Sequence, residues 1–258
     1  MCTRFVYHGQ DVITGFNFDI DLSVWKHKVR IEKDRFYIGI LRPDGIYHSY
    51  HGVNRNGNVG TLLYVQENPD GVYQAGENCI TIAALTEQFI QGQLSFDEVL
   101  KIAKTKKITY APDASMQALL SDAQGRVLIL EPGIGYRQEQ KRYSLITNYS
   151  LIKPESTEKF IVPDDDRYER ALEFLSRCQS HFSISDAQDL LQVTCQEGKW
   201  ATRVSFLYSV KEQAVYYTEN NKFKEFKKFG FPLKEQKENH HATENLSTFD
   251  KETVYLKT

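Results

Sequence analysis

Hydrophobic positions in the first third of the chain fall into short β-prone runs cut by turn signals. Residues 3–7 and 12–18 are two such runs, separated by the polar Gly9-Gln10-Asp11. Residues 36–41 (FYIGIL) are continuously apolar, the mark of a strand buried on both faces. Arg42-Pro43-Asp44-Gly45 predicts a turn and residues 46–51 the returning strand. Asn54-Arg55-Asn56-Gly57 predicts another turn ahead of a strand at 59–65, and Asn68-Pro69-Asp70-Gly71 breaks the chain.

The spacing then changes to helical. Ile80, Ala83, Ala84, Phe89 and Ile90 predict a helix over 80–91, and Ser95 with Glu98 forms a capping box ahead of a second. Residues 116–131 predict a hairpin around Asp122 to Gly125, and 143–147 a further strand. A helix over 166–178 presents Tyr168, Ala171, Leu172 and Leu175 on one face, and Ser185 with Gln188 caps a short one. Residues 204–209 and 214–218 close the series as a hairpin. Strands and helices are grouped rather than alternating. The expected class is therefore α+β, with antiparallel sheets and helices packed on them. No repeat or Pro/Gly/Ser-rich linker divides the chain, so residues 1–258 read as one domain with a polar C-terminal extension from about residue 230.

Composition narrows the function. The formal net charge of -2 gives no global attraction to nucleic acid or anionic membrane. No apolar run approaches the roughly 20 residues that span a bilayer. The start, Met-Cys-Thr-Arg-Phe, is not built as a signal peptide, so cytoplasm is expected. Cys2, Cys79, Cys178 and Cys195 match no CxxC pattern and are expected as free thiols.

Cys2 differs from the others in its position. Removal of Met1 would leave one residue carrying both a thiol, pKa about 8.5, and an α-amine, pKa about 7.7–8. The amine can accept the thiol proton, and the thiolate can attack an amide or ester carbonyl. The amine can then protonate the leaving nitrogen and activate water. The rest of the chain must add a carboxylate, a cation and an oxyanion hole.

Five blocks, in order, carry a resemblance. They are Cys2-Thr3-Arg4-Phe5 with Gly15-Phe16-Asn17-Phe18-Asp19; Gly52-Val53-Asn54-Arg55-Asn56-Gly57 leading to Tyr64; Leu145-Ile146-Thr147-Asn148; Asp166-Arg167-Tyr168-Glu169-Arg170-Ala171; and the stretch from Thr202 to Tyr208-Ser209. Together they resemble the choloylglycine hydrolase family, which includes bile salt hydrolases and penicillin V acylases. The resemblance implies an N-terminal-nucleophile fold, an αββα four-layer sandwich of two antiparallel sheets between helices. It implies Cys2 as nucleophile, Asp19 orienting its amine, Arg170 as the catalytic arginine, and Asn148 with Tyr64 as the oxyanion hole. Arg4, Phe16, Asn17 and Arg167 are accessory candidates. The family carries arginine where this chain has Phe16, and a phenyl ring supplies neither charge nor donors.

Each residue also has a plainer reading. Asp19 shares a strand face with Asp21, Asn148 suits a turn, Arg170 a solvated helix face, and Tyr64 the core. His48 and His51 are expected on opposite strand faces rather than as a metal pair, and His240-His241 lies in the polar tail. Lys222 to Phe229 reads as an amphipathic strand or helix with snorkelling lysines.

The expectation is a cytoplasmic hydrolase of linear carbon–nitrogen amides, with no cofactor or metal and a small-molecule amide as its partner. Candidate substrates are conjugated bile salts, penicillin V, N-acyl amino acids and N-acyl homoserine lactones. Nucleic acid and a membrane span are not expected; a homo-oligomer is compatible with the sequence. The alternatives are a non-catalytic binder of acylated ligands, motivated by Phe16, and an acyltransferase.

Overall fold

The computed structural model describes residues 2–178 and 181–231. β1 (Cys2–His8) and β2 (Val12–Asp19) form a hairpin, followed by β3 (His27–Ile31), β4 (Arg35–Leu41), β5 (Tyr47–Asn54) and β6 (Val59–Tyr64). β7 (Cys79–Thr81) leads into α1 (Ile82–Ile90) and α2 (Phe96–Thr105). Next come β8 (Lys107–Thr109), β9 (Met116–Ser121), β10 (Val127–Glu131), β11 (Gly135–Glu139) and β12 (Tyr143–Ile146). α3 (Arg167–Arg177), α4 (Ile184–Val193), β13 (Thr202–Ser209), β14 (Ala214–Glu219) and β15 (Lys227–Gly230) complete the described chain.

The strands assemble into a six-stranded sheet, β12-β1-β2-β13-β14-β15, and a seven-stranded sheet, β11-β10-β9-β6-β5-β4-β3. Every pairing in both is antiparallel. Only the short β7–β8 pair is parallel. One core lies between the sheets, where Phe16, Phe18 and Phe206 of the first meet Phe36, Ile38 and Leu119 of the second. A second joins the first sheet to α3 and α4 through Phe5, Leu175 and Leu190. A third joins the second sheet to α1 and α2 through Leu62, Phe89 and Val99. This is the αββα sandwich. It explains the unbroken apolar runs, because the central strands bury both faces.

Alternation decides which side chains meet the helices. On β1, Cys2 and Val6 enter the core between the sheets, whereas Phe5 and Tyr7 face α3 and α4. On β2, Phe16 and Phe18 point between the sheets, so Asn17 and Asp19 point toward the helices. No described helix is long and apolar enough to cross a membrane.

In the two large sheets β3 and β11 were not expected from the apolar pattern, and β15 falls in the segment read as an amphipathic strand or helix; the short β7 and β8 were not expected either, and β7 takes the residues ahead of Ile82 at which the helix over 80–91 was to begin. β3, β11 and β15 are each the edge of a large sheet, and their sequences, HKVRI, GYRQE and KKFG, carry the charges that guard edges. The basic-aromatic segment resolves accordingly: Phe223 and Phe226 pack on the helix-side core, and β15 takes up residues 227–230. The cap of α4 is Ser183, in a capping box with Asp186, rather than Ser185 with Gln188. Starting two residues earlier puts Ala187, Leu190 and Leu191 on the buried stripe. On α3 the buried positions are Arg167, Ala171 and Leu175, while Leu172 is turned to solvent. His240-His241 and the polar extension lie outside the described residues.

Candidate active site

The ends of β1, β2, β12 and β13, the end of β6, and the first turn of α3 converge at one edge of the sandwich. Cys2 opens β1 opposite Phe18 of β2. Its nitrogen donates to Asn148 Oδ1 at 2.6 Å, and its Sγ lies 3.9 Å from the main-chain oxygen of Asp19. Asn148 stands two residues beyond the end of β12. Its Nδ2 donates to the main-chain oxygen of Tyr64 at 2.7 Å, linking the two sheets. Tyr64 therefore enters the site through its backbone, and its side chain is about half exposed at the rim.

The cationic centre is Arg167 rather than Arg170. Arg167 is the first residue of α3 and lies on its buried face with Ala171 and Leu175. Its Nη1 pairs with Asp19 Oδ2 at 3.2 Å and reaches Thr3 Oγ1 at 3.4 Å. Its Nη2 lies 3.3 Å from Asn148 Oδ1. Asp165 holds the same guanidinium through Nε and Nη2, both at 2.7 Å. Gln196 adds its side-chain oxygen to Nε at 2.6 Å in the amide orientation the network selects. Arg170 is nearly a full turn further along the helix and off that face. It pairs with Asp166 and the Val193 carbonyl, and its side chain is 43% exposed.

The other candidates divide in the same way. Asp19 is fully held: Thr202 Oγ1 donates to its Oδ1 at 2.6 Å from the end of β13. The register shift between Thr202 and Val204 occurs at this point. Asp21 instead closes a turn onto Ser23. Asn17 is an anchor, donating to Leu191 O at 2.8 Å and accepting from Ser205 Oγ at 2.7 Å. Arg4 is buried between the sheets but bonds Phe5 O, Gly15 O and Ser121 Oγ, which lead away from Cys2. Phe16 is wholly buried and stacks on His51, ring centroids 5.1 Å apart. Asp165 and Gln196 joined the site without having been named, Thr3 and Thr202 had been quoted in their blocks without a role, and His51 had been considered only as half of a metal pair. Asp165 and Thr202 carried a signal, since one immediately precedes a recognised block and the other opens one.

Burial dominates the electrostatics. It pushes the Cys2 thiol up to about 11, with Arg167 among the groups pulling the other way. It pushes the Asp19 carboxyl up to about 7 against the attraction of Arg167 and the Thr202 hydroxyl. Burial works against the Arg167 charge as well, but Asp165 and Asp19 outweigh it and the pKa is raised. The thiol is therefore protonated at rest, beside a cation that stays charged.

A cavity of about 550 Å³ opens onto Cys2. Phe18, Ile20, Trp25, Ile40, Leu62 and Met116 are among the apolar residues of its wall, and Tyr50 and His51 line it too. Arg42 lies on the wall as well, paired with Asp113 and stacked 4.8 Å from the Trp25 ring. A cavity of this size and lining suits an apolar ligand of small-molecule dimensions.

No protein-family model matches the chain, and no curated protein matches it in sequence. Solved structures do match it in fold. One is a mutant of the conjugated bile acid hydrolase from Clostridium perfringens, with TM-score 0.66, 12% identity, and 89% of this chain and 92% of that one covered. Another is penicillin V acylase from Agrobacterium tumefaciens, with TM-score 0.58, 16% identity, and coverage of 84% and 83%. A third is the Caenorhabditis elegans ortholog of N-acylethanolamine-hydrolyzing acid amidase, with TM-score 0.55, 12% identity, and coverage of 80% and 92%. At these identities the likeness is one of fold.

Proposed function

We propose that the chain is an N-terminal-cysteine amidase of the choloylglycine hydrolase type, cleaving a linear carbon–nitrogen amide whose acyl group enters the apolar cavity. The observation that carries this reading is the 2.6 Å contact of the Cys2 nitrogen with Asn148 Oδ1, beside the Arg167–Asp19 pair and at the cavity floor. The names of the three fold relatives, a conjugated bile acid hydrolase, a penicillin V acylase and an acid amidase, fit the same reaction class.

Removal of Met1 frees the amine. That amine takes the Sγ proton as sulfur attacks the carbonyl carbon, which offsets the cost of forming a buried thiolate. Asn148 Nδ2 has two hydrogens; one is engaged by Tyr64, and the second serves the oxyanion. Collapse of the tetrahedral species breaks the C–N bond, and the ammonium protonates the departing amine. Water, deprotonated by the same amine, then opens the thioester and releases the acid. Asp19 and Arg167 act together: the carboxylate balances the amine when it is charged, and the guanidinium balances sulfur when it is anionic. Arg167 thus provides from α3 the positive charge that Phe16 cannot provide from β2.

Phe16 favours one second reading, a binder that does not turn over. Intact-mass analysis after an activated acyl probe separates the two. The amidase reading requires loss of Met1, one acyl adduct that disappears in Cys2→Ala, and hydrolysis of at least one member of a panel of bile salt, penicillin V and N-acyl amino acid amides. Retention of Met1, or a processed protein that never acylates, would refute it.

A further inference from the structure

His51 lies on β5, at the inner wall of the cavity, and the acyl-transfer chemistry leaves it unused. It is 4% exposed. Its ring packs against two neighbouring phenyl rings, stacking on Phe16 at 5.1 Å and 22° interplanar angle and meeting Phe18 at 4.9 Å with the ring planes tilted. Phe18 is the cross-strand partner of Cys2, so this aromatic cluster stands directly beside the nucleophile. The main-chain N–H of Leu62 donates to His51 Nδ1 at 3.1 Å.

That last bond fixes the tautomer. A ring nitrogen that accepts from an amide N–H carries no proton, so in the neutral imidazole the proton is on Nε2. Burial lowers the His51 pKa to about 3, which keeps the ring neutral across the physiological range. Nε2 has no hydrogen-bond partner among the described residues, and His51 lines the cavity together with Cys2. The chain thus holds a single-proton donor rigidly at the wall of an apolar chamber. Nδ1 has a structural task, accepting from the Leu62 amide, and that task leaves Nε2–H over as the ring's one unassigned polar group. The other charged groups on the wall are engaged: Arg42 with Asp113, and Asp19 with Arg167 and Thr202.

Resting on the amidase reading, we propose that His51 Nε2–H donates to an oxygen carried on the substrate's acyl group, and so selects oxygen-bearing acyl chains over plain hydrocarbon ones. A buried donor facing a ligand without an acceptor loses its bond to water and gains nothing in return. An acyl chain with a hydroxyl, keto or ether oxygen at the right carbon restores it. His51 is a positioning and specificity residue in this scheme, and it exchanges no proton with the reacting atoms.

The test uses aminocoumarin amides of decanoic acid and of its single-hydroxyl isomers, with the hydroxyl walked along the chain. In the wild type, one isomer should show kcat/KM roughly tenfold above the plain chain. His51→Phe should abolish that preference, His51→Gln, which keeps a donor, should retain it in part, and Tyr50→Phe, which alters the neighbouring wall, should leave it intact. The free decanoic and hydroxydecanoic acids, titrated into Cys2→Ala, should show the same order of affinity. This arm needs no turnover: if binding is selective but no amide is cleaved, the amidase reading fails and the subsite stands. Nitrogen NMR of the imidazole in the wild type should report the Nε2–H tautomer whether or not the variants fold. Equal handling of all chains by the wild type, a preference that survives His51→Phe, or an Nδ1–H tautomer would overturn the proposal.

Discussion

Arg167 Nη1 and Asp19 Oδ2 meet at 3.2 Å with side chains 1% and 0% exposed, joining the start of α3 to the end of β2 directly behind Cys2. Arg170, which the motif first suggested, lies outside this pair. Arg167→Ala should lower kcat/KM by about two orders of magnitude or more. Arg170→Ala, which removes an exposed ion pair with Asp166 and a bond to the Val193 carbonyl away from Cys2, should stay within about threefold of wild type. Steady-state kinetics on one amide substrate checks both, and equal losses would mean the cation has been misassigned.

The two wholly buried arginines should behave oppositely in unfolding. Arg167→Met strands Asp19 and Asp165 in the interior, which should cost about 3–5 kcal/mol. Arg4 pairs with no carboxylate among the described residues, its Nε is unsatisfied, and burial pushes its pKa down to about 9. Arg4→Met removes that desolvated charge along with its bonds to Phe5 O, Gly15 O and Ser121. It should therefore cost less than about 1 kcal/mol, or stabilise. Denaturant titration of the two variants decides the matter.

Asp19 gives the stability a pH slope of known sign. Its carboxyl is raised on folding to about 7, from about 3.9 in an open chain. The folded state then binds the proton more tightly than the unfolded state. The contribution to stability is complete below about pH 4 and fades as pH rises through about 7. Asp19→Asn should flatten unfolding free energy between those limits, as measured by urea midpoints over a pH series. An unchanged slope would place the titration elsewhere.

Gly52 pairs across β5 and β6 with Gly60. A Cβ at Gly52 would stand 2.4 Å from Phe36 O and 2.8 Å from Tyr37 Cα, both backbone atoms that cannot swing aside. Gly52→Ala should destabilise by about 1–3 kcal/mol. Because His51 is the adjacent residue, any substrate selectivity of the acyl cavity should weaken with it. Thermal unfolding of Gly52→Ala beside wild type measures the first effect.

The sandwich was legible because its central strands are unusually plain: FYIGIL and RVLIL can hardly be anything but doubly buried strands. The edge strands β3 and β11 were not, and β15 was left open between strand and helix, because they are made of the charged residues that keep edges from pairing with other chains; the edge strand β12, which carries no such charge, was read correctly. For α3 the deciding information was present in the sequence. Arg167 is four residues before Ala171 and eight before Leu175, so helical geometry alone puts it on the buried face and leaves Arg170 off it. Motif matching looked at the order of arginines and not at the face. His51 carried no comparable signal, since its tautomer depends on an amide of another strand and its exposure on a cavity formed by both sheets. The backbone role of Tyr64 was hidden for the same reason: a side-chain letter says nothing about which carbonyl a distant asparagine will meet.

The bond from Asn148 Nδ2 to the carbonyl of Tyr64 runs from one sheet to the other, and the opposite end of the same amide holds the nitrogen of Cys2. The gap between the layers is thereby transmitted to the proposed nucleophile through a single planar group. A slight parting or sliding of the layers would turn that group before the apolar interior comes undone. Catalytic competence should then fade on warming ahead of any change in overall shape, which makes turnover the more sensitive gauge of how tightly the two halves are pressed together.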